Sequence, residues 1–465
     1  MASYVPAASG AGVRAGLLDR TRTVAGPGFN RWMVPPAALC VHLSIGEVYA
    51  FSVFNKPLSL AIGITKAAPG DWSIPALGWI FSLAILVLGI AAAFTGTWLD
   101  RVGPRKAMTV AALCFGGGFI VSAVGVWAHQ LWLVYLGYGV LGGTGLGIGY
   151  ISPVKTLITW FPDRPGMATG LAIMGFGGGA LIAAPLSVAL MKHFAGPTSV
   201  GVAPTFFVLG LFYLVFMLIG AAIVRVPAEG WRPAGFVPQA QANRLITDRT
   251  VHVDQALRTP QFYLLWGVLC LNVTAGIGVL GQASLMAQEM FHGRITPAAA
   301  AGFVGLLSLF NMAGRFVWAS ISDYIGRRNT YFVFFVLGIV LYLLVPSTAR
   351  IGSIALFVLG YGIIISMYGG GFATIPAYLR DIFGVRYVGA IHGRLLTAWS
   401  AAGVLGPVLI NYIRQYQIDH GVAKADAYTV TMYVMAGLLL LGLLCNLAMH
   451  PVRDQHFLEP GGAQA

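Results

Sequence analysis

The chain has 465 residues, of which 57% are hydrophobic and only 9% charged, and its mean hydropathy is +0.79. A soluble chain of that composition would expose large apolar patches, so a soluble globular protein is excluded and lipid is the expected solvent. The formal net charge of +13 has no soluble face on which to cluster, which excludes a nucleic-acid footprint.

In chain order, residues 1–32 hold Arg14, Arg20 and Arg22 but no apolar segment, and read as a flexible tail instead of a signal peptide. Runs of about 20 apolar residues then predict membrane helices. The first covers 33–55 and carries His42, Glu47 and Tyr49. Glu47 is the only acidic side chain deep in a predicted span. A carboxyl in a dry setting favours its neutral form, which makes Glu47 a candidate for proton coupling; pairing with Ser or a backbone group is the alternative. His42 shares the face of Tyr49 at i, i+7 and reads as a hydrogen-bonded packing residue.

Helices over 75–98 and 107–128 flank a charged loop, GTWLDRVGPRK at Gly96–Lys106. Those over 131–158 and 166–193 contain the glycine runs Gly142–Gly149 and Gly175–Gly179, whose small residues let helices approach closely. The run GTGLG has no strand before it and no GK[ST] after it, so it is not a phosphate loop. A helix over 205–225 completes six spans at residue 226, and the polar interval 227–258 reads as a linker. The second set covers 259–287, 298–320, 330–347, 351–378, 388–413 and 427–449, followed by a tail over 450–465. The expected fold is thus an all-α membrane protein with twelve transmembrane helices in two six-helix halves, 33–226 and 259–449.

The halves are related. The loop at Gly96–Lys106 returns 223 residues later as ASISDYIGRRN, Ala319–Asn329, matching Asp100 with Asp323, Gly103 with Gly326 and Arg105 with Arg328. The same offset carries Gly147 onto Gly370, Pro153 onto Pro376, Gly166 onto Gly389 and Gly170 onto Gly393. Paired membrane halves are the signature of a secondary transporter, whose substrate binds between the repeats near the midplane. Most of the 28 Lys and Arg residues fall in the tails, the linker and the loops on one side, which assigns both termini to the cytoplasm. The four cysteines, Cys40, Cys114, Cys270 and Cys445, lie in spans without ligand spacing, so neither disulfide, metal nor cofactor is expected.

Arg315 lies eight residues before Asp323, about 12 Å into the membrane at the helical rise. A charge there costs roughly 2.5–3.5 kcal/mol on insertion scales and usually faces a cavity or a partner. Its planar fork matches a carboxylate in two hydrogen bonds, and Asn311, four residues earlier, shares its face. Snorkelling to the inner leaflet, or pairing with a backbone carbonyl, is the alternative.

The repeated loop resembles the one between helices 2 and 3 of the major facilitator superfamily, with the pattern G-x-x-x-D-R-x-G-R-R. The resemblance implies the major facilitator fold and assigns Asp100, Arg101, Gly103, Arg105, Asp323, Gly326 and Arg328 to gating loops that latch one state of an alternating-access cycle. More narrowly, GIGYISPVKTLITWFPDRPGMATG at Gly147–Gly170, GEVYAFSVFNKPL at Gly46–Leu58, RTPQFYLLW at Arg258–Trp266 and DIFG at Asp381–Gly384 are similar to the oxalate/formate antiporter family, itself related to the monocarboxylate transporters. This resemblance implies that Arg315 takes a substrate carboxylate, with Asn311, Tyr49, Tyr150, Tyr368 and Phe372 around the ligand and Phe176 as a weaker member. Where the oxalate/formate exchanger has a lysine in helix 11, this chain has Trp399, which favours a monocarboxylate such as formate, lactate or pyruvate. Arg394, five residues earlier, is the alternative second cation for a dicarboxylate. The expected protein is therefore no enzyme. It is a monomeric carrier in a bacterial-type cytoplasmic membrane, in contact with lipid and moving a small organic anion by exchange or with protons. A non-transporting sensor on the same fold is the rival.

Overall fold

The computed structural model describes residues 16–235, 245–291 and 294–458. The outer parts of both tails and the middle of the linker, including Arg14 and Arg244, lie outside the described residues. Twelve helices among the described residues are long and apolar enough to cross a membrane. In the first half these are α1 (Arg31–Ala50), α2 (Ala76–Val102), α3 (Pro104–Trp127), α4 (Leu131–Trp160), α5 (Pro165–Phe194) and α6 (Val202–Ile223). In the second they are α7 (Pro260–Leu280), α8 (Gly302–Ile325), α9 (Arg327–Arg350), α10 (Ile354–Phe383), α11 (Val388–Asp419) and α12 (Thr429–Leu447).

Local signals set several boundaries. Pro104, Pro165 and Pro260 stand in the first turns of α3, α5 and α7, where a missing N–H leaves no helical bond unmade. The turns α2–α3 and α8–α9 are single residues, Gly103 at φ 83° and Gly326 at φ 84°, a left-handed conformation that favours glycine. Arg105 donates to the carbonyls of Ala222 and Val224 at the end of α6, and Arg328 to that of Leu447 at the end of α12. Val224 and Leu447 are again 223 residues apart, so each repeated arginine caps the last helix of its own half.

Two departures from the expected spans matter for the site. Helix α1 tightens to a 3-10 stretch at Gly46–Ala50, and a separate short helix follows at Ser52–Leu58. Helix α4 widens to a π-helical stretch at Tyr135–Gly142, which a 3.6-residue pattern does not reveal. The described part of the N-terminal tail is not free: Thr23 is buried, Val24 bridges to Val226, and Arg31 holds Asp163 in two hydrogen bonds of 2.7 and 3.0 Å. The linker is likewise tied down, with Thr247 and Val251 donating backbone bonds to Asp381 and Phe383.

The halves meet along two seams, α5 against α8 and α2 against α11. Both are built at the repeated glycines. A Cβ on Gly166 would lie 2.2 Å from the Ala319 carbonyl oxygen, and one on Gly393 would lie 2.1 Å from that of Ala92. A Cβ on Gly170 would lie 2.8 Å from the Arg315 carbonyl oxygen, and one on Gly389 would lie 2.9 Å from the side-chain Oδ1 of Asp100. The matched glycines thus mark the crossing points of the halves, with backbone against backbone at Gly166, Gly170 and Gly393 and the Asp100 side chain against Gly389.

Candidate functional site

Arg315 is completely buried at the middle of the α5–α8 seam. Its space is made by glycines: a Cβ on Gly177 would sit 2.9 Å from Nε, and one on Gly369 would sit 3.1 Å from Cγ. Nε donates to Asn311 Oδ1 at 3.0 Å and Nη1 reaches the Ile173 carbonyl at 3.5 Å, while Nη2 has no partner. Asn311 therefore orients the guanidinium instead of offering its oxygen to a ligand. The rings of Phe176 and Phe372 flank the cation at 5.6 and 5.3 Å, which holds it by cation–π attraction on both sides.

Around this cation the structure gathers every aromatic residue expected at the site. Trp399 of α11 packs on Phe372 at 4.6 Å, on Phe176 at 5.4 Å and on Tyr150 at 5.5 Å. Tyr49 lies edge-on to Phe176 at 5.2 Å, and its hydroxyl is 3.4 Å from that of Tyr368. Tyr368 in turn packs on Phe372 at 5.3 Å. The chamber is closed, with Arg315, Tyr150, Phe372 and Trp399 all at 0% exposure. Within it the Tyr150 hydroxyl and the Trp399 indole N–H have no hydrogen-bond partner; the hydroxyl lies beside the guanidinium without bonding geometry. Leaving a buried donor unpaired costs about 1–3 kcal/mol, and this chamber holds three such groups, Arg315 Nη2, the Tyr150 hydroxyl and the Trp399 N–H.

Two expected residues stand elsewhere. Glu47 turns into the first half, where its Oε2 accepts from Tyr138 of the π-helical stretch at 2.9 Å; none of its partners belongs to the chamber. Two residues apart on a tightened helix, Glu47 and Tyr49 face different neighbours. Arg394 donates to the Ala390 carbonyl at 3.2 Å and is half-buried, so α11 offers the chamber Trp399 and not a second guanidinium. Two histidines flank Tyr150: His42, which spacing placed on the face of Tyr49, and His392, which no sequence signal marked. His42 stacks on the Tyr150 ring at 5.4 Å and His392 lies 5.8 Å away, buried, with Nε2 unpartnered.

At the end of the bundle carrying both repeated loops, the seams are locked by the matched acids. Asp323 accepts from the backbone N–H groups of Gly166 and Met167, both at 2.8 Å, and so caps α5 from across the seam. Asp100 is held by Lys155 of α4 and faces the start of α11 at Gly389 and Ala390. The two locks differ in their cations. Arg327 joins Asp323 at 2.5 Å to Asp381 at 3.3 Å, whereas its repeat position in the first half is Pro104. Arg101 stays exposed at its loop.

A closed central cation between two related six-helix halves, with one end locked across both seams, defines a membrane transporter and not an enzyme. A family model described as Major Facilitator Superfamily matches residues 28–407, and the chain belongs to that superfamily. It is 29% identical over 390 residues to the oxalate:formate antiporter of Oxalobacter formigenes, covering 81% of this chain and 83% of that protein. It is 24% identical over 455 residues to apicoplast pyruvate carrier 1 of Toxoplasma gondii, covering 86% and 80%. To monocarboxylate transporter 14 of Mus musculus it is 21% identical over 487 residues, covering 89% and 88%. Among solved structures, the E. coli fucose:proton symporter superposes with a TM-score of 0.64 over 90% of this chain and 99% of that one, at 13% identity, a likeness of fold alone.

Proposed function

We propose that this protein is a secondary carrier of small monocarboxylates, whose substrate carboxylate sits on Arg315 and receives the free N–H and O–H groups of Trp399 and Tyr150. One observation carries the reading: Arg315 Nη2, Tyr150 Oη and Trp399 Nε1 are buried donors without partners in one aromatic chamber around one cation. A carboxylate offers about four lone-pair sites and one negative charge, which suits three donors and a single guanidinium. The relatives named for oxalate, formate, pyruvate and monocarboxylates support the substrate class. The position of Arg394 supports one charge over two.

Because the chamber is closed, substrate enters only when the halves separate. Separation at the repeated loops breaks the Asp323 cap on α5 and the contact of Asp100 with α11; separation at the other end leaves them intact. The excess of Lys and Arg at the locked end supports a cytoplasmic placement for it and for both termini. An impermeant thiol reagent added outside intact cells then labels a cysteine placed at Lys424 and leaves one at Glu229 untouched; the opposite pattern reverses the orientation. The substrate class is tested by uptake of labelled formate, lactate, pyruvate and oxalate into proteoliposomes, with and without internal anion. Uptake of none of them, by a protein that retains its fold, refutes the reading.

A further inference from the structure

We propose that His42 is the proton-binding site of this carrier, coupled to the substrate carboxylate through Arg315. The proposal rests on the carboxylate reading of Arg315 and extends it to the coupling ion. His42 is completely buried, with Nδ1 2.7 Å from the Ala172 carbonyl oxygen and Nε2 3.1 Å from that of Tyr150. The Gly149 carbonyl also faces the ring. Pro153, four residues on, has no N–H to give that carbonyl, so it is left free of its helical partner.

These surroundings accept hydrogen bonds and donate none. A neutral imidazole carries one N–H, so one ring nitrogen must present its lone pair to a carbonyl oxygen. An imidazolium carries two and satisfies both contacts. The geometry is thus complete only when a proton is bound.

What opposes that proton is equally visible. The charged and titratable groups facing the ring are Arg315 from α8, Tyr150 from α4 and His392 from α11; α5 contributes backbone at Ala172 and Gly175. On α1 itself, Glu47 is engaged by Tyr138 and Tyr49 points into the chamber. Complete burial opposes the imidazolium first; no acid among the described residues faces His42, and Arg315 repels the charged ring further. An anion bound at Arg315 cancels that repulsion, so the anion raises the affinity for the proton and, by reciprocity, the proton raises the affinity for the anion. The two are taken up together and released together, which makes the cycle a symport. Glu47, buried against Tyr138 away from the chamber, has no such link to the substrate.

The test measures protons directly. The purified full-length protein is titrated with lactate and with formate by calorimetry in buffers of different ionisation enthalpy, which reads protons taken up per anion bound. The expected result is proton uptake approaching one per anion in the native protein on the acid side of neutrality, over the range where the ring is neutral in the empty protein and protonated in the complex, with affinity there falling by up to about tenfold per unit rise in pH. His42→Gln and His42→Asn are expected to bind the anion with no proton uptake and no pH dependence, while Glu47→Gln behaves as the native protein does. Anion binding without proton uptake in the native protein overturns the inference even if neither histidine variant folds. So does full proton uptake in His42→Gln, or its loss in Glu47→Gln alone. If the native protein binds neither lactate nor formate, nor any other acid of the panel, the carboxylate reading itself fails and this inference falls with it.

Discussion

Replacing Trp399 by phenylalanine separates the two jobs of the indole. The ring packs on Phe372, Phe176 and Tyr150 at 4.6, 5.4 and 5.5 Å, and a phenyl ring keeps most of that contact. The N–H, buried without a partner, is lost. In the empty protein its removal relieves a desolvated donor worth about 1–3 kcal/mol, while the smaller ring leaves a void whose cost is of similar size. Folding stability should therefore change little, and the variant should reach the membrane at native levels. In the proposed complex the balance differs, because there the N–H would donate to an ionised carboxylate, a bond worth roughly 1.5–3 kcal/mol. At 1.4 kcal/mol per tenfold, affinity for lactate or formate should fall by about ten- to a hundredfold. The assay is equilibrium binding of the purified variant beside its thermal midpoint. Native affinity in Trp399→Phe would show that the indole nitrogen does not meet the substrate, and would remove one of the three donors on which the site is built.

Arg315→Lys keeps the charge but loses both the Nε bond to Asn311 and the second prong towards substrate. Carboxylate transport should drop at least tenfold with expression retained, and native transport would make Arg315 a structural cation. Trp399→Lys adds a second positive group to the chamber, so oxalate should gain as a competitor against labelled lactate; an unchanged oxalate-to-lactate ratio would argue against a one-charge site. Gly393→Ala places a Cβ where the Ala92 carbonyl oxygen lies 2.1 Å away, so the α2–α11 seam must open at the locked end. Cysteines placed near Gly389 should then react faster with a thiol reagent than in the native protein, and equal rates would show that the seam absorbs the methyl group.

The repeated residues show which features a linear reading can carry. Asp100 and Asp323, Gly103 and Gly326, and Gly166 and Gly389 stand out because one offset relates them, and each pair performs one task in both halves: a helix lock, a left-handed turn, a crossing point. Arg315 stands out for another reason, since a guanidinium that deep in lipid needs a partner whatever the fold. The twelve spans follow from the length of apolar runs.

The partners of the repeated acids do not follow the repeat, because Lys155 and Arg327 occupy unrelated positions. Glu47 was visible as a buried acid, yet its meeting with Tyr138 depends on a π-helical stretch that leaves no periodic trace. His42, Tyr150, Phe176 and His392 come together from four helices, with His42 bonding to residues 130 and 108 positions away. A soluble helix reveals its inner face by amphipathicity, but lipid accepts the same apolar side chains that the protein interior does. Sequence by itself therefore determined the spans, their twofold repetition and a cation, Arg315, that lipid would not tolerate unaided. Only the tertiary structure, by setting the rotation of each helix about its axis, decided which aromatic rings and which histidine that cation would meet.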